Sequence, residues 1–136
     1  MRSMSLLITG TILASCTNAP PPPYMARSAS GERAYQMAVA GKVPGQPISC
    51  LPNYNANDMS IIDGRTVAFR VGSRTTYIMH LSEGCEMAGS GTYALLSRQI
   101  GGPGMCRGDI QSVVDTLNHT SVGSCVIQDI VPYTRP

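Results

Sequence analysis

Cysteine is the residue type with the clearest chemical potential in this chain of 136 residues, which contains five. Four of them, Cys50, Cys85, Cys106 and Cys125, are separated by 35, 21 and 19 residues. Structural zinc sites and redox-active thiols normally use closely spaced pairs such as C-x-x-C, and the chain has none. An even number of widely separated cysteines is typical of small exported domains, so the pattern predicts two disulfides and no metal site.

The pairing of these four cysteines is open, since they allow three combinations. We favour Cys50 with Cys125 and Cys85 with Cys106. Cys50 is expected to enter the first strand and Cys125 to begin the last one, and these two edges would meet if the sheet closed. In the chain-entropy model each disulfide would contribute about 3 to 4.5 kcal/mol.

The two histidines, His80 and His119, lie in no recognisable catalytic motif, and we expect both at simple surface positions. A Ser-His-Asp triad is not indicated, because the chain has no G-x-S-x-G elbow. Residues 101–104 (GGPG) lack the Lys and Ser or Thr of a phosphate loop, so we expect a flexible loop there. The sequence therefore predicts no catalytic residue and no cofactor.

The beginning of the chain has the order of a secretory signal: Arg2, then an apolar run at residues 6–14, then small residues. The run is nine residues long, whereas a transmembrane helix needs about 20 apolar residues. Residues 1–15 are therefore predicted to be a signal peptide that is removed.

The end of this segment, Leu13-Ala14-Ser15-Cys16, resembles the lipobox of bacterial prolipoproteins, which is Leu, two small residues and Cys. The resemblance implies that Cys16 becomes the N-terminus and carries a diacylglyceryl thioether, with palmitate among its acyl chains. Two or three acyl chains hold a protein stably on a membrane, whereas one holds it only marginally. Thr17 stands where an Asp would favour inner-membrane retention in Gram-negative sorting, which implies the periplasmic face of the outer membrane.

The lipidated Cys and a Pro-rich tether are predicted to occupy residues 16–30, with an extended conformation near the four consecutive prolines. Residues 31–136 then suffice for one domain. With Arg2 removed, nine cationic residues face eight acidic ones, a net charge of +1. Such a balance, without a basic cluster, argues against nucleic-acid binding.

A helix is predicted at residues 31–40, with Ser30 as N-cap and Gly41 as its end. Its apolar face would hold Tyr35, Val39 and either Met37 or Ala38.

Alternating apolar residues on both sides of Asp63-Gly64 predict a hairpin. Gly72-Ser73 would form the next turn. The expected fold class is mainly β, a small antiparallel barrel or sandwich of about six strands preceded by one short helix. The strands are predicted at residues 59–62, 66–71, 75–81, 92–99, 110–115 and 126–133.

Several stretches together resemble a family of small Gram-negative envelope proteins that is classified only as a domain of unknown function. The resemblance implies one domain with shared cysteines, and it implies no known reaction. The matching pieces are Gly41-Lys42, residues 47–50, 66–69 and 77–81, Cys85, residues 105–110 and 123–125, and Pro132.

Residues 90–93 (SGTY) resemble the inhibitory loop of small lipoproteins that inhibit lysozyme, in which Ser-Gly and a Tyr enter the enzyme cleft. The inhibitors have two residues between Gly and Tyr, where this chain has one, and a later Lys that this chain lacks.

We expect a membrane-tethered periplasmic lipoprotein that acts as a non-catalytic accessory or binding module, with the membrane and an envelope protein as partners. A lysozyme-inhibitor-like lipoprotein and a small envelope enzyme are the alternatives. A cleft that holds His80 or His119 beside a carboxylate would favour the enzyme, and a protruding loop at residues 90–93 would favour the inhibitor.

Overall fold

The computed structural model describes residues 27–52, 55–97 and 104–136. The predicted signal peptide (residues 1–15), the predicted lipidation site Cys16 and most of the predicted tether lie outside the described residues. Residues 101–103 of the predicted Gly-rich loop and the end of the predicted strand 92–99 lie outside them as well.

The described residues form an antiparallel sheet with the order β2-β3-β4-β7-β6-β5, and β1 pairs with one end of β7. The sheet curls into a half-barrel, and one helix precedes its main strands, so the predicted mainly β class with two disulfides is confirmed. The elements are α1 (Ala29–Val39), β1 (Val43–Pro44), a 3-10 turn (Ala56–Asp58), β2 (Met59–Asp63), β3 (Thr66–Val71), β4 (Thr75–Leu81), β5 (Tyr93–Ser97), β6 (Ile110–Asp115) and β7 (Ser121–Thr134).

Strand β7 is 14 residues long and joins the two halves of the sheet. Its first part pairs with β6 and its second part with β4. A bulge at Gln128 separates the pair formed by Leu81 and Ile127 from the pair formed by His80 and Asp129. Such a bulge bends a strand and increases its twist, which curls the sheet. The strand begins five residues before the predicted start, because its Ser and Gly residues carry little strand signal.

The hairpin of β2 and β3 is confirmed, with a turn one residue later than predicted. Asp63 pairs with Thr66, so Gly64 and Arg65 form the two-residue loop. Asp63 Oδ1 accepts a hydrogen bond of 2.8 Å from the backbone N–H of Arg65. An Asp side chain that bonds its own backbone two residues later is a frequent turn device.

Helix α1 starts two residues earlier than predicted, at Ala29. Ser28 rather than Ser30 caps it, since Ser28 Oγ accepts a hydrogen bond of 3.1 Å from the Gly31 N–H. Ala38 faces the sheet, whereas Met37 is 69% exposed.

The sheet has an inner and an outer face, which alternate along each strand. The inner face holds the main apolar cluster: Leu51, Val67, Phe69, Met79, Leu81, Cys85, Ala88, Met105, Val113, Cys125, Ile127 and Ile130. The outer face of β2, β3 and β4 packs against α1 through a smaller cluster of Ala38, Ile62, Ala68 and Ile78, with Ala34, Tyr35, Val39 and Tyr133 at its margin.

The favoured cysteine pairing is wrong: the disulfides join Cys50 to Cys106 and Cys85 to Cys125. The pairing was based on a last strand at the edge of the sheet, but β7 lies in the middle, between β4 and β6. The loop after β4 therefore runs beside β7. A Cβ on Gly84 would lie 2.0 Å from Ser124 O, so only glycine lets this loop approach closely enough to bring Cys85 to Cys125.

Candidate functional site

The outer face of the sheet holds a pair formed by a histidine and a carboxylate. His80 on β4 lies opposite Asp129 on β7, and 2.5 Å separates His80 Nδ1 from Asp129 Oδ1. The His80 side chain is 21% exposed. His80 is thus not the simple surface residue that the sequence suggested, because the fold places the strand that carries Asp129 directly beside β4.

Thr66 on β3 lies opposite His80 on its other side, so a hydroxyl, an imidazole and a carboxylate stand in a row across three strands. A catalytic hydroxyl must be reached by the substrate, and Thr66 is 0% exposed. None of the three cavities described below is lined by His80 or Asp129. The row links neighbouring strands and presents no accessible nucleophile at Thr66.

His119 lies in the exposed turn between β6 and β7, as expected. Its backbone has a φ of +56°, and its N–H donates a hydrogen bond of 2.8 Å to the carbonyl of Asp115. His119 lies in a turn and His80 lies in β4, so the structure does not bring the two histidines into one site.

The N-terminal end of α1 is held to the sheet by opposite charges. Arg27 forms ion pairs with Glu32 at 3.5 Å and with Asp63 at 3.3 Å. Its guanidinium also lies 4.0 Å from the centroid of the Tyr35 ring. Such a cation–π contact contributes about 0.5 to 1 kcal/mol at exposed sites.

Tyr35 in turn bonds Tyr133 on β7, with 2.7 Å between the two hydroxyl oxygens and the rings in an edge-to-face arrangement. Burial, followed by the hydrogen bond with Tyr133, raises the pKa of Tyr35 from 10.0 to about 12. The pair joins the middle of α1 to the last strand.

A groove runs between α1 and the outer face of the sheet, with a volume of about 360 Å³. We call it the α1 groove. Its apolar side chains come from α1, β2 and β3, and Asn57, Asp58, Ser60, Arg70 and Thr76 add polar groups. The apolar ones are Ala34, Met37, Ala38, Met59, Ile62 and Ala68.

Thr76 is the unusual residue of the α1 groove. It lies opposite Arg70 in the pairing of β3 with β4 and is 1% exposed. Its Oγ1 is buried and has no hydrogen-bond partner among the residues that the structure describes. A buried hydroxyl without a partner costs about 1 to 3 kcal/mol, so a polar atom delivered to it would be stabilising.

A second cavity of about 470 Å³ adjoins the α1 groove at the C-terminal end of the helix. We call it the basic notch. Met37 and Arg70 line both cavities. The remaining lining residues of the notch are Ala40, Lys42, Gly72, Ser73 and Arg135.

Three cations therefore meet at the basic notch: Lys42, Arg70 and Arg135. Burial, followed by the charges of Arg135 and Arg70, lowers the pKa of Lys42. Lys42 Nζ donates a hydrogen bond of 2.9 Å to the Ala38 carbonyl, which fixes it at the negative end of the helix. Within the described part of the chain, none of the three cations forms an ion pair.

The third cavity, of about 510 Å³, surrounds the Cys50–Cys106 disulfide and is also lined by Arg107 and Gln128. Arg107 Nε donates a hydrogen bond of 3.0 Å to the Gln128 carbonyl. Cys50 is exposed, whereas Cys85 and Cys125 are 0% and 3% exposed. The four predicted disulfide cysteines thus form one surface bond and one buried bond.

The segment that resembles the lysozyme-inhibitor loop forms an exposed turn before β5. Ser90 Oγ donates a hydrogen bond of 2.6 Å to the Met87 carbonyl, and Tyr93 N–H donates one of 3.1 Å to the Ser90 carbonyl. Ser90 and Gly91 are exposed, but Tyr93 packs against the inner apolar cluster. The Tyr93 ring would have to leave this cluster to enter an enzyme cleft.

In the described ranges, no three His, Cys, Asp or Glu residues are grouped so that they could hold a metal ion. No helix among these residues is long and apolar enough to cross a membrane. No protein-family model, no curated protein and no solved structure matches this chain.

Sequence reasoning missed the α1 groove and the basic notch. The alternation of β3 and β4 would have placed Arg70 and Thr76 on one face, opposite Phe69 and Met79. Nothing in the sequence indicated that Lys42 and Arg135, which are 93 residues apart, would join Arg70.

Proposed function

We propose that this protein is a lipid-anchored protein of a bacterial envelope, in which the β domain acts as a non-catalytic binding module. The proposal rests mainly on how the five cysteines are distributed between the disulfides and the lipobox. Two disulfides use Cys50, Cys85, Cys106 and Cys125. The fifth, Cys16, completes the sequence Leu13-Ala14-Ser15-Cys16 and is the residue that a lipobox acylates.

The disulfides support an oxidising compartment, since cytosolic proteins rarely keep such bonds. A periplasmic location agrees with this chemistry and with a short signal that ends at Cys16. The Thr that follows Cys16 favours the outer membrane in Gram-negative sorting.

The binding role is supported by the outer face of the sheet. Concave sites with apolar walls and a few converging polar groups are the usual form of small-ligand sites. The α1 groove has this form, and the basic notch next to it adds three cations, whereas the His80 and Asp129 pair lies outside both. Cross-linking in cells followed by mass spectrometry would identify a protein partner.

The lipid anchor is tested by metabolic labelling with a palmitate analogue in a Gram-negative host. We expect label on the wild-type chain and none on Cys16→Ala, because the thioether can form at no other position of the lipobox. The matched control is the double variant Cys50→Ala with Cys106→Ala, which loses two other cysteines and should keep its label. Equal labelling of Cys16→Ala would contradict the proposal.

A further inference from the structure

We infer that the α1 groove and the basic notch together bind a small acidic amphiphile, with its carboxylate or phosphate head in the notch and its apolar part along the groove. The inference deepens the proposed binding role and does not depend on the lipid anchor. Its first support is the shared wall of the two cavities, since Met37 and Arg70 line both.

The head group is identified by charge. Lys42, Arg70 and Arg135 converge on the notch without an ion pair among the described residues, and Ser73 adds a hydroxyl. Asp58 lines the α1 groove with Arg70 but forms no ion pair with it. Charge-assisted bonds from guanidinium and ammonium groups to an oxyanion are the strong class of hydrogen bond, and the notch offers three such donors.

The opposite end of α1 differs from the notch in having acidic partners for its cation. There Arg27 has two carboxylate partners, Glu32 and Asp63, so cations on this face are neutralised where the fold supplies acids. At the notch three cations come together, and no acidic residue in the described ranges lies within ion-pair distance of them. An external anion would remove the repulsion among them.

The apolar part is identified by the walls of the α1 groove. Met37 is 69% exposed although it borders both cavities, and a ligand chain lying against it would bury this surface. Thr76 lines this groove opposite Arg70, which borders both cavities. A head-group oxygen at the boundary beside Arg70 would give the Thr76 hydroxyl, which has no partner among the described residues, a hydrogen bond.

The volumes of the two cavities are those of a site for one small molecule. Cavities of about 360 and 470 Å³ fall in the range of small-molecule sites, about 300 to 1,000 Å³. A lipid head still embedded in a bilayer could reach the notch but could not lay its chain in the groove.

The test uses the intact chain, purified from whichever cell fraction contains it, and three ligands of equal chain length, each with a diazirine in its alkyl chain. They are the analogues of decanoic acid, decyl phosphate and the neutral decanol; on irradiation the diazirine loses N₂ and the carbene inserts into a neighbouring bond of the protein. We expect both acidic ligands to label peptides that contain Met37 or Met59, and the neutral one to label them much less. Arg70→Gln should weaken labelling by about tenfold or more, because one charge-assisted contact is lost.

Two variants sharpen the test. Arg33→Gln removes an equal charge from an exposed residue of α1 that lines neither cavity, and it should keep wild-type labelling. Thr76→Val should weaken labelling several-fold without loss of stability, since the hydroxyl it removes has no partner in the unliganded protein.

Three results would overturn the inference. They are equal labelling by the neutral ligand, full competition by inorganic phosphate alone, and binding confined to anionic vesicles with equal sensitivity to Arg33→Gln and Arg70→Gln. The last would assign the basic notch to diffuse attraction by a charged membrane. None of these results bears on the acyl labelling of Cys16, so the lipid anchor and the ligand site fail separately.

Discussion

The two faces of the sheet differ in what fills them. The inner face is closed by an apolar cluster that includes Phe69, Met79 and the Cys85–Cys125 disulfide. The outer face is covered by α1 over a cluster of four buried residues. At one end of this helix Arg27 forms ion pairs with Glu32 and Asp63, whereas at the other end Lys42, Arg70 and Arg135 form no ion pair with any described residue. The difference indicates that stability is concentrated inside, while the outer face retains groups that can meet a ligand.

The largest expected effects on the free energy of unfolding come from removing the disulfides. They join cysteines 56 and 40 residues apart, so the chain-entropy model assigns each about 4 kcal/mol. Cys85→Ala with Cys125→Ala should cost about 2 kcal/mol more than Cys50→Ala with Cys106→Ala, because the inner pair also leaves a cavity in the cluster. Urea denaturation of both double variants measures the difference, and an equal or reversed order would contradict the inner-face assignment.

Two methionines, one on the inner face and one on α1, allow the two regions to be compared at the same residue type. Met79 is 0% exposed on the inner face, and Met37 is 69% exposed on α1. We expect Met79→Ala to lower the free energy of unfolding by about 2 to 5 kcal/mol. Met37→Ala should change it by no more than about 0.5 kcal/mol. A large loss for Met37→Ala would show that the α1 groove contributes to stability rather than to binding.

The hydroxyl pair of Tyr35 and Tyr133 gives the smallest effect, and it depends on pH. The pKa of Tyr35 rises from 10.0 to about 12 through burial and the hydrogen bond to Tyr133. The folded protein therefore holds this proton more tightly than the unfolded chain does. The stability that this group contributes is complete below pH 10 and is lost as the pH rises from 10 to about 12.

We expect Tyr35→Phe to cost about 1 kcal/mol at neutral pH and to make the decline above pH 10 less steep. Tyr133→Phe removes the same bond, so the double variant should lose little more than either single variant. Thermal unfolding between pH 7 and pH 12 checks this, and additive losses would mean that the two hydroxyls act separately.

Local patterns in the sequence predicted most elements correctly. Strands β3, β4 and β6 have the predicted bounds. In β4 the apolar residues Tyr77, Met79 and Leu81 share one face, which is a local pattern. The turn at Gly72 was predicted from the glycine itself. The structure gives this residue a φ of +62°, a backbone conformation that favours glycine. The helix starts two residues and ends one residue earlier than predicted, since Ser28 and Ser30 are equivalent caps in the sequence and the ion pair of Arg27 with Asp63 favours the earlier one.

By itself, the sequence determined that four separated cysteines form two disulfides, that the strands alternate between two faces and that a helix precedes them. Tertiary structure alone decided that β7 lies between β4 and β6. That position pairs Cys85 with Cys125, places Asp129 beside His80 and brings Arg135 to Lys42 and Arg70. The physical reason is that alternation and turn chemistry act over a few residues, whereas strand order depends on which distant strands bury the most apolar surface together.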